Sequence, residues 1–394
     1  MTTNKKIRKF EIEIECLQKQ LCIPGISGAI IKNQEIIWNK GMGYSDLSVQ
    51  RIASPETTYF ISSITKTFAS IILLKLVEEH ALNIDDPVSN FGIKIKSLGQ
   101  ITVRNLLSHT SQGIPGSQYS YSDRRFYFLE QVMSEATSCS FYELLMDMII
   151  KPLKLCSTVP CVMKENSNFL RVFERLAKPY IIDNNTNMPK ETIYPSFFGV
   201  NDGLISSVED ISIFSNALDN NLILSQKTKE MAWTNFLSND GEKLPYGLGW
   251  FVQFFEGHHL VWHHGWNRGF SSLIIKVIDE NISLILLANN EELSCSFPLS
   301  EGDVTKSPFA IAFIKAFVPK YDRLCNTFID WSVSEEVLKQ QVGDIARSEE
   351  CDLLLKEIIS QCLINLRFKQ ENTVKKLYSL ASNLFPDKSI NIHI

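Results

Sequence analysis

Residues 59–68 read Tyr59-Phe60-Ile61-Ser62-Ser63-Ile64-Thr65-Lys66-Thr67-Phe68, which places a hydroxyl and an amine three residues apart. Apolar residues recur with a helical period over residues 64–79 and predict a buried helix that begins at Ser63. Residues three apart share a helix face, so we expect Ser63 and Lys66 to lie within reach of each other. The helix start favours negative charge at Ser63, and burial is expected to lower the pKa of Lys66, so that a neutral amine accepts the serine proton.

The sequence around this segment resembles a known family. Ser-x-x-Lys alone is weak evidence, because short spacings recur by chance. The segment as a whole resembles the nucleophile region of class C β-lactamases and related penicillin-binding-protein-like serine hydrolases, which include esterases and D-aminopeptidases. Pro24-Gly25 with Gly41-Met42-Gly43, and then residues 101–111, resemble the family's N-terminal hairpin and the helix that leads into its cleft loop. The resemblance runs from about Ile23 to Phe317 and implies that Ser63 is the nucleophile and Lys66 its proton-handling partner.

Tyr121-Ser122-Asp123 resembles the second motif of this family. The resemblance implies that Tyr121 lies between the nucleophile and the leaving group as a general base and acid, and a phenol near a cationic Lys66 is expected to ionise more readily. The family motif ends in asparagine, whereas this chain has Asp123, and a carboxylate beside Lys66 would favour the charged amine. Three readings follow, in this order: Tyr121 carries the proton, Asp123 selects a substrate with a positive amine, or activity has been lost.

Trp262-His263-His264-Gly265-Trp266 resembles the third motif, which is Lys-Thr-Gly in β-lactamases and often His-x-Gly in the esterase and D-aminopeptidase branches. Alternation along a strand puts adjacent histidines on opposite faces, and we expect His263 to face the cleft. Gly265 lets substrate lie against the strand, and the resemblance implies an oxyanion hole formed by the N–H groups of Trp266 and Ser63. The expected substrate-binding residues are therefore Asp123, His263, Gly265 and Trp266. Because histidine is largely neutral at pH 7, esterase or peptidase activity is favoured over β-lactamase activity.

The segment order predicts an α+β fold with an antiparallel sheet flanked by helices, and the resemblance implies that this fold is of the β-lactamase/transpeptidase type. A hairpin over residues 26–38 and short turns between strands at 247–255, 260–264, 271–278 and 282–288 indicate the sheet. A helical subdomain is expected at about 85–218, within a hydrolase domain of residues 1–320. Amphipathic patterns at 353–366 and 374–384 predict a helical C-terminal extension, residues 321–394, that can dock a protein partner.

Composition narrows the classes of partner. The net charge of -5 and the scattered Lys and Arg residues argue against nucleic acid. The chain has nine cysteines and no Cys-x-x-Cys pair, so no disulfide framework is expected. The four histidines within residues 258–264 lack the spacing of a metal site, so no metal or cofactor is expected. The N-terminus lacks a signal-peptide core and the apolar runs are too short to span a bilayer, which predicts a cytoplasmic protein that binds no membrane.

These patterns together predict a cytoplasmic serine hydrolase with an acyl-Ser63 intermediate, acting on an ester, an amide or a peptide that contains D-amino acids. One alternative is a catalytically silent or slowly acylating binding protein with a partner-docking helical tail, for which Asp123 is the support. Another is an acyltransferase or peptide-modifying enzyme on the same scaffold, because an amine can intercept the intermediate instead of water.

Overall fold

The structure is a computed structural model that describes residues 2–183, 186 and 188–390. Its strands are β1 (Gly25–Lys32), β2 (Glu35–Asp46), β3 (Arg51–Ile52), β4 (Tyr59–Phe60), β5 (Val159–Pro160), β6 (Tyr180–Ile182), β7 (Pro189–Glu191), β8 (Leu204–Ser206), β9 (Phe251–Phe255), β10 (His258–Asn267), β11 (Phe270–Val277) and β12 (Ile282–Ala288). Its α-helices are α1 (Thr3–Gln20), α2 (Thr65–Glu78), α3 (Val103–Leu107), α4 (Asp123–Phe126), α5 (Leu129–Thr137), α6 (Phe141–Leu145), α7 (Lys151–Leu153), α8 (Leu170–Glu174), α9 (Val208–Asp219), α10 (Gln226–Ala232), α11 (Pro308–Phe317), α12 (Asp322–Asn326), α13 (Glu335–Ala346), α14 (Cys351–Arg367) and α15 (Glu371–Leu384).

A seven-stranded sheet forms the centre of the described residues, in the order β3-β2-β1-β12-β11-β10-β9. All its neighbouring strands are antiparallel, as the short turns predicted. The N-terminal hairpin joins the C-terminal strands through β1 and β12, where Ile26 pairs with Ala288 and Lys32 with Ile282. The expected α+β architecture is thus confirmed, with the two halves of the sheet separated in sequence by the helical insertion.

Apolar side chains cover both faces of this sheet. Val261, Ile274 and Ile285 belong to the core shared with α2. Their neighbours on the opposite face, such as Trp262 and Ile275, belong to a second core shared with α1 and α11. Burial on both faces explains why the strands are almost continuously apolar instead of alternating with polar residues.

The helical side of the molecule holds the segment that contains Ser63. The predicted helix start is a 3-10 turn over Ser62–Ile64, and the α-helix α2 follows from Thr65. Short strands β5 to β8 interrupt the expected helical subdomain, and they were not predicted because two or three residues show no periodicity. The N-terminus of α9 is capped by the Ser207 hydroxyl, which accepts a hydrogen bond from the Asp210 N–H at 3.2 Å.

The C-terminal helices α13 to α15 turn their apolar residues toward the rest of the protein. Leu338, Leu354, Ile358 and Leu377 are fully buried in the same core as α1 and α11. The two predicted amphipathic segments correspond to α14 and α15, whereas α13 was not singled out. A domain boundary at residue 320 and a docked partner stay predictions. Among the helices described, none has the length and apolar character needed to cross a bilayer.

Candidate active site

Ser63 stands at a bend between the strand β4 and the helix α2. Ser62 adopts a left-handed conformation, with φ of 49°, which turns the chain into the 3-10 turn. The Ile61 carbonyl accepts a hydrogen bond from the Ser272 hydroxyl at 2.7 Å, and this contact fastens the bend to β11. Between residues 57 and 74 every residue except Ser63 is buried. The fold therefore presents this one serine toward solvent from an otherwise closed segment.

Lys66 lies one turn below Ser63, as the spacing predicted. Its side chain is fully buried, and Nζ donates hydrogen bonds to the Ser63 Oγ at 2.8 Å and to the Asn201 carbonyl at 3.0 Å. Nζ also lies 2.5 Å from Oδ1 of Asp123. An ammonium group has three N–H donors, so these acceptors use its full capacity.

The charge state of Lys66 differs from the expected one. Burial acts to lower its pKa, but the negative charges of Tyr121 and Asp123 outweigh burial, and the pKa of Lys66 is raised. Asp123 contributes to this shift both through its charge and through a hydrogen bond to Lys66. The expectation of a neutral amine was wrong, and the resting Lys66 is an ammonium that donates to Ser63.

Tyr121 completes the cluster on the side of α4. Its ring lies 5.0 Å from the Lys66 Nζ, and it packs against His109 at a ring separation of 4.3 Å and against Phe251 at 6.0 Å. The hydroxyl is buried beside Ser63 and Lys66 but makes no well-formed hydrogen bond. Burial raises the pKa of Tyr121 more than Lys66 lowers it. The expectation that this phenol ionises readily was therefore also wrong.

Two of the four histidines of β10, His263 and His264, are buried and neutral. The Nδ1 of His263 donates to the His264 carbonyl at 2.7 Å, since a carbonyl only accepts, and its Nε2 accepts from the Tyr246 hydroxyl at 2.9 Å. Burial lowers the pKa of His263 far below its usual range and that of His264 to about 3. Both ring nitrogens of His264 are buried without hydrogen-bond partners. Both ring nitrogens of His263 are thus hydrogen-bonded within the protein, whereas those of His264 are not.

Gly265 lies directly against the nucleophile segment. A Cβ at this position would come within 2.6 Å of the Ile61 carbonyl oxygen and 2.7 Å of the Ser63 nitrogen. Real Cβ atoms do not approach backbone so closely, and glycine is therefore required. The next residue, Trp266, is 52% exposed at the mouth of the site. The structure thus brings β10 beside the Ser63 N–H, where the sequence predicted it.

Four groups around Ser63 were not among the predicted site residues: Asn201, Asp202, His109 and Tyr246. Burial raises the pKa of the Asp202 carboxyl to about 6, although this carboxyl accepts hydrogen bonds from Asn267 at 2.7 Å and from the Gly203 N–H at 2.6 Å. No sequence pattern marks Asn201, because its backbone carbonyl contacts Lys66. His109 lies within residues 101–111, which resemble the family's helix that leads into the cleft loop, and Tyr246 was not predicted to lie in the site.

The chain is similar in sequence and in fold to several known proteins. Protein flp of Staphylococcus aureus (strain MW2) is 27% identical over 326 residues, which are 73% of this chain and 64% of flp, so the chain spans less than two thirds of that relative. Penicillin-binding protein 4* of Bacillus subtilis (strain 168) is 24% identical over 312 residues, 66% of each chain. The solved octameric penicillin-binding protein homologue from Pyrococcus abyssi superposes with a TM-score of 0.68 at 24% identity, over 81% of this chain and 80% of that one.

A second solved structure shares the fold. The D-amino acid amidase from Ochrobactrum anthropi SV3 superposes with a TM-score of 0.62 at 18% identity and covers 73% of this chain and 91% of that one. The sequence model of the beta-lactamase family matches residues 11–294, which include Ser63, Lys66, Tyr121 and Gly265. This chain therefore belongs to the beta-lactamase family.

Proposed function

We propose that the protein is a serine hydrolase that forms an acyl-Ser63 intermediate. The observation that carries the proposal is the hydrogen bond between Lys66 and the only accessible hydroxyl of a buried segment, with the Tyr121 phenol beside it. In the fraction of molecules in which the Lys66–Tyr121 pair has lost one proton to solvent, Ser63 Oγ attacks the carbonyl carbon and its proton passes to this pair. The pair returns a proton to the departing group, and water then releases the acid. The Ser63 N–H and the Trp266 N–H are proposed to hold the developing oxyanion.

The proposed substrate is an ester, an amide or a peptide that contains D-amino acids. The histidines of the third motif are neutral and so do not supply the fixed positive charge that Lys-Thr-Gly provides to β-lactamases. Tyr127 and Phe197 form an exposed aromatic pair 5.7 Å apart, and the Tyr127 N–H donates to the Asp123 carbonyl at 2.9 Å. Tyr127 lies four residues after Asp123 and the exposed Trp266 directly follows Gly265, so exposed aromatic side chains lie near both motifs and favour a substrate with an apolar group.

Intact-mass spectrometry with a fluorophosphonate tests the nucleophile. Wild type is expected to gain one adduct, which peptide mapping places on Ser63, and Ser63→Ala is expected to gain none. Ser62→Ala is the matched control, because it removes the neighbouring hydroxyl, which is buried. An adduct that persists in Ser63→Ala, or one that disappears in Ser62→Ala alone, would overturn the assignment of Ser63.

A separate assay with a chromogenic ester and an added amine distinguishes hydrolysis from acyl transfer. A hydrolase releases the acid, whereas an acyltransferase releases the amide.

Asp123→Asn is expected to move the pH profile of Ser63 acylation to lower pH. The Asp123 carboxylate helps to raise the pKa of Lys66, so its removal lowers the pH at which a neutral amine becomes available. At pH 7 the acylation rate should rise severalfold when an uncharged fluorophosphonate is the probe. Asp123→Glu restores a carboxylate and serves as the control. A midpoint that stays in place or moves upward in Asp123→Asn contradicts the proposed role.

A slowly acylating binding protein is the second candidate. It is favoured by the resting state of the cluster, in which Lys66 is charged with its donors engaged and Tyr121 is protonated. The two candidates differ in turnover: a hydrolase releases its acyl group repeatedly, whereas a binding protein accumulates it. Measuring deacylation of wild type after a single equivalent of a chromogenic ester separates them.

A further inference from the structure

A cavity of about 400 Å³ lies where α9 and α10 meet the ends of β11 and β12. None of its lining residues belongs to the site around Ser63. Its volume falls within the range of roughly 300–1,000 Å³ typical of ligand pockets. The lining residues on which the inference rests are Asp219, Lys229, Trp233, His259 and Lys276.

Lys276 is one of two buried cations in the lining. It is 2% exposed, and its Nζ donates to the Ser215 hydroxyl at 2.6 Å, to Asp219 Oδ2 at 2.9 Å and to the Ser283 hydroxyl at 3.3 Å. Burial lowers its pKa although Asp219 opposes that effect. Asp219 is therefore the carboxylate that balances this charge.

Lys229 is the second buried cation and is 5% exposed. Its Nζ donates to the backbone carbonyls of Leu218 at 3.1 Å and Asp219 at 3.2 Å, which end α9. It forms no ion pair with the Asp219 side chain within the range of a salt bridge. One of its three N–H groups remains without an acceptor in these contacts. Burial lowers the pKa of Lys229, and the charge of Lys276 adds to the effect.

Both buried lysines lie close to the indole ring of Trp233. The Lys229 and Lys276 Nζ atoms are 5.3 Å and 5.7 Å from its ring. The indole is 5% exposed, and its Nε1–H is buried without a hydrogen-bond partner, whereas its backbone carbonyl accepts from His259 at 3.0 Å. A buried donor without a partner costs about 1–3 kcal/mol, and a bound water, ion or ligand group would remove that cost.

We propose that this cavity binds a small organic anion, with a carboxylate or phosphate group that accepts hydrogen bonds from Trp233 Nε1 and Lys229 Nζ. The Asp219 carboxylate pairs with Lys276, whereas the buried Lys229 ammonium donates only to backbone carbonyls and, among the residues described, has no carboxylate paired with it. The other carboxylate of the lining, Glu230, is exposed to solvent, and its effect on Lys229 is smaller than those of Asp219 and Lys276. An anion both neutralises the Lys229 charge and satisfies the unpaired donor. The site is separate from the proposed hydrolase chemistry.

Thermal unfolding tests the proposal, with sodium phosphate and sodium succinate as the two probes and sodium chloride at equal ionic strength as the reference. Wild type is expected to gain about 2 °C or more in Tm, with saturation, from at least one probe. Trp233→Phe keeps an aromatic ring under the lysines but removes the N–H, and Lys229→Met removes the free ammonium donor. Both variants are expected to lose the shift, whereas Trp331→Phe, a control far along the sequence in the C-terminal region, retains it.

The probes also identify the anion. A shift with phosphate alone assigns a phosphate ligand, and a shift with succinate alone assigns a carboxylate. The proposal is overturned if neither probe raises Tm above the chloride reference, or if Trp233→Phe keeps the full shift while circular dichroism shows it folded. Fluorophosphonate labelling of Ser63 in Trp233→Phe is expected to equal that of wild type. The Tm shift therefore tests the anion site, and the labelling of Ser63 tests the proposed hydrolase independently.

Discussion

Replacing Lys66 with methionine is expected to slow acylation of Ser63 by about 10²–10⁴-fold, the range that a positioned acid or base contributes. Lys66 is the group hydrogen-bonded to the Ser63 Oγ, and Tyr121 has no well-formed hydrogen bond with which to take its place. Methionine has a similar length but neither donates nor accepts a proton. Single-turnover labelling with a fluorophosphonate, followed by mass spectrometry, measures the change directly.

Lys66→Met is also expected to remain folded and to be no less stable than wild type. The change replaces a buried charge by an apolar side chain, which is often neutral or stabilising. The carboxylate left behind is not trapped in the interior, because the Asp123 side chain is 58% exposed. Lys75→Met is the control on the same helix, where the amine pairs with Glu78 at 3.4 Å and should not affect acylation. Acylation of Lys66→Met at the wild-type rate would remove Lys66 from the mechanism.

The second large effect is expected for Gly265→Ala. The new Cβ would meet the Ile61 carbonyl at 2.6 Å and the Ser63 nitrogen at 2.7 Å, so β10 and the nucleophile bend must separate. We expect a loss of about 1–3 kcal/mol in the free energy of unfolding, typical of overpacking. Displacing an N–H of the proposed oxyanion hole should in addition lower acylation by about 10²–10³-fold.

Chemical denaturation and fluorophosphonate labelling measure the two consequences of Gly265→Ala separately. Gly343→Ala is the matched control, since the added Cβ there meets only the flexible Arg347 side chain, at 3.6 Å. Gly343 lies within α13, and alanine should stabilise that helix by about 0.5–1 kcal/mol. A Gly265→Ala protein with unchanged stability and labelling would show that β10 and Ser63 are not held as tightly as the structure describes.

The long elements and the local spacings were predictable from sequence. The strand β12 was predicted with its observed bounds, because seven buried residues, all apolar except Ser283, end in turns on both sides. Ser63 and Lys66 were paired correctly because a distance of three residues along a helix needs no tertiary information. The close approach of Gly265 to Ser63 was expected from the family resemblance and is present in the structure.

The charge states were not predictable, because they depend on burial and on contacts between distant segments. The sequence set two opposing effects on Lys66, burial that favours the neutral amine and Asp123 that favours the charged one, and only the ion pair formed across 57 positions shows that the second prevails. Asn201 reaches Lys66 through a backbone carbonyl, which every residue type possesses, so its position carried no information. The hydrogen bond between His263 and Tyr246 joins β10 to the loop before β9, and such a contact between separate elements depends on the fold.

The pairing of β1 with β12 also has a consequence for biosynthesis. Ile26 pairs with Ala288, so the N-terminal hairpin leaves the ribosome long before its partner strand exists. At about 5–20 residues per second, translation of the intervening chain takes on the order of 10 to 50 s. During that interval one apolar strand edge of the nascent chain stays open to wrong partners. Assembly of the complete sheet therefore waits until β12 has been synthesised.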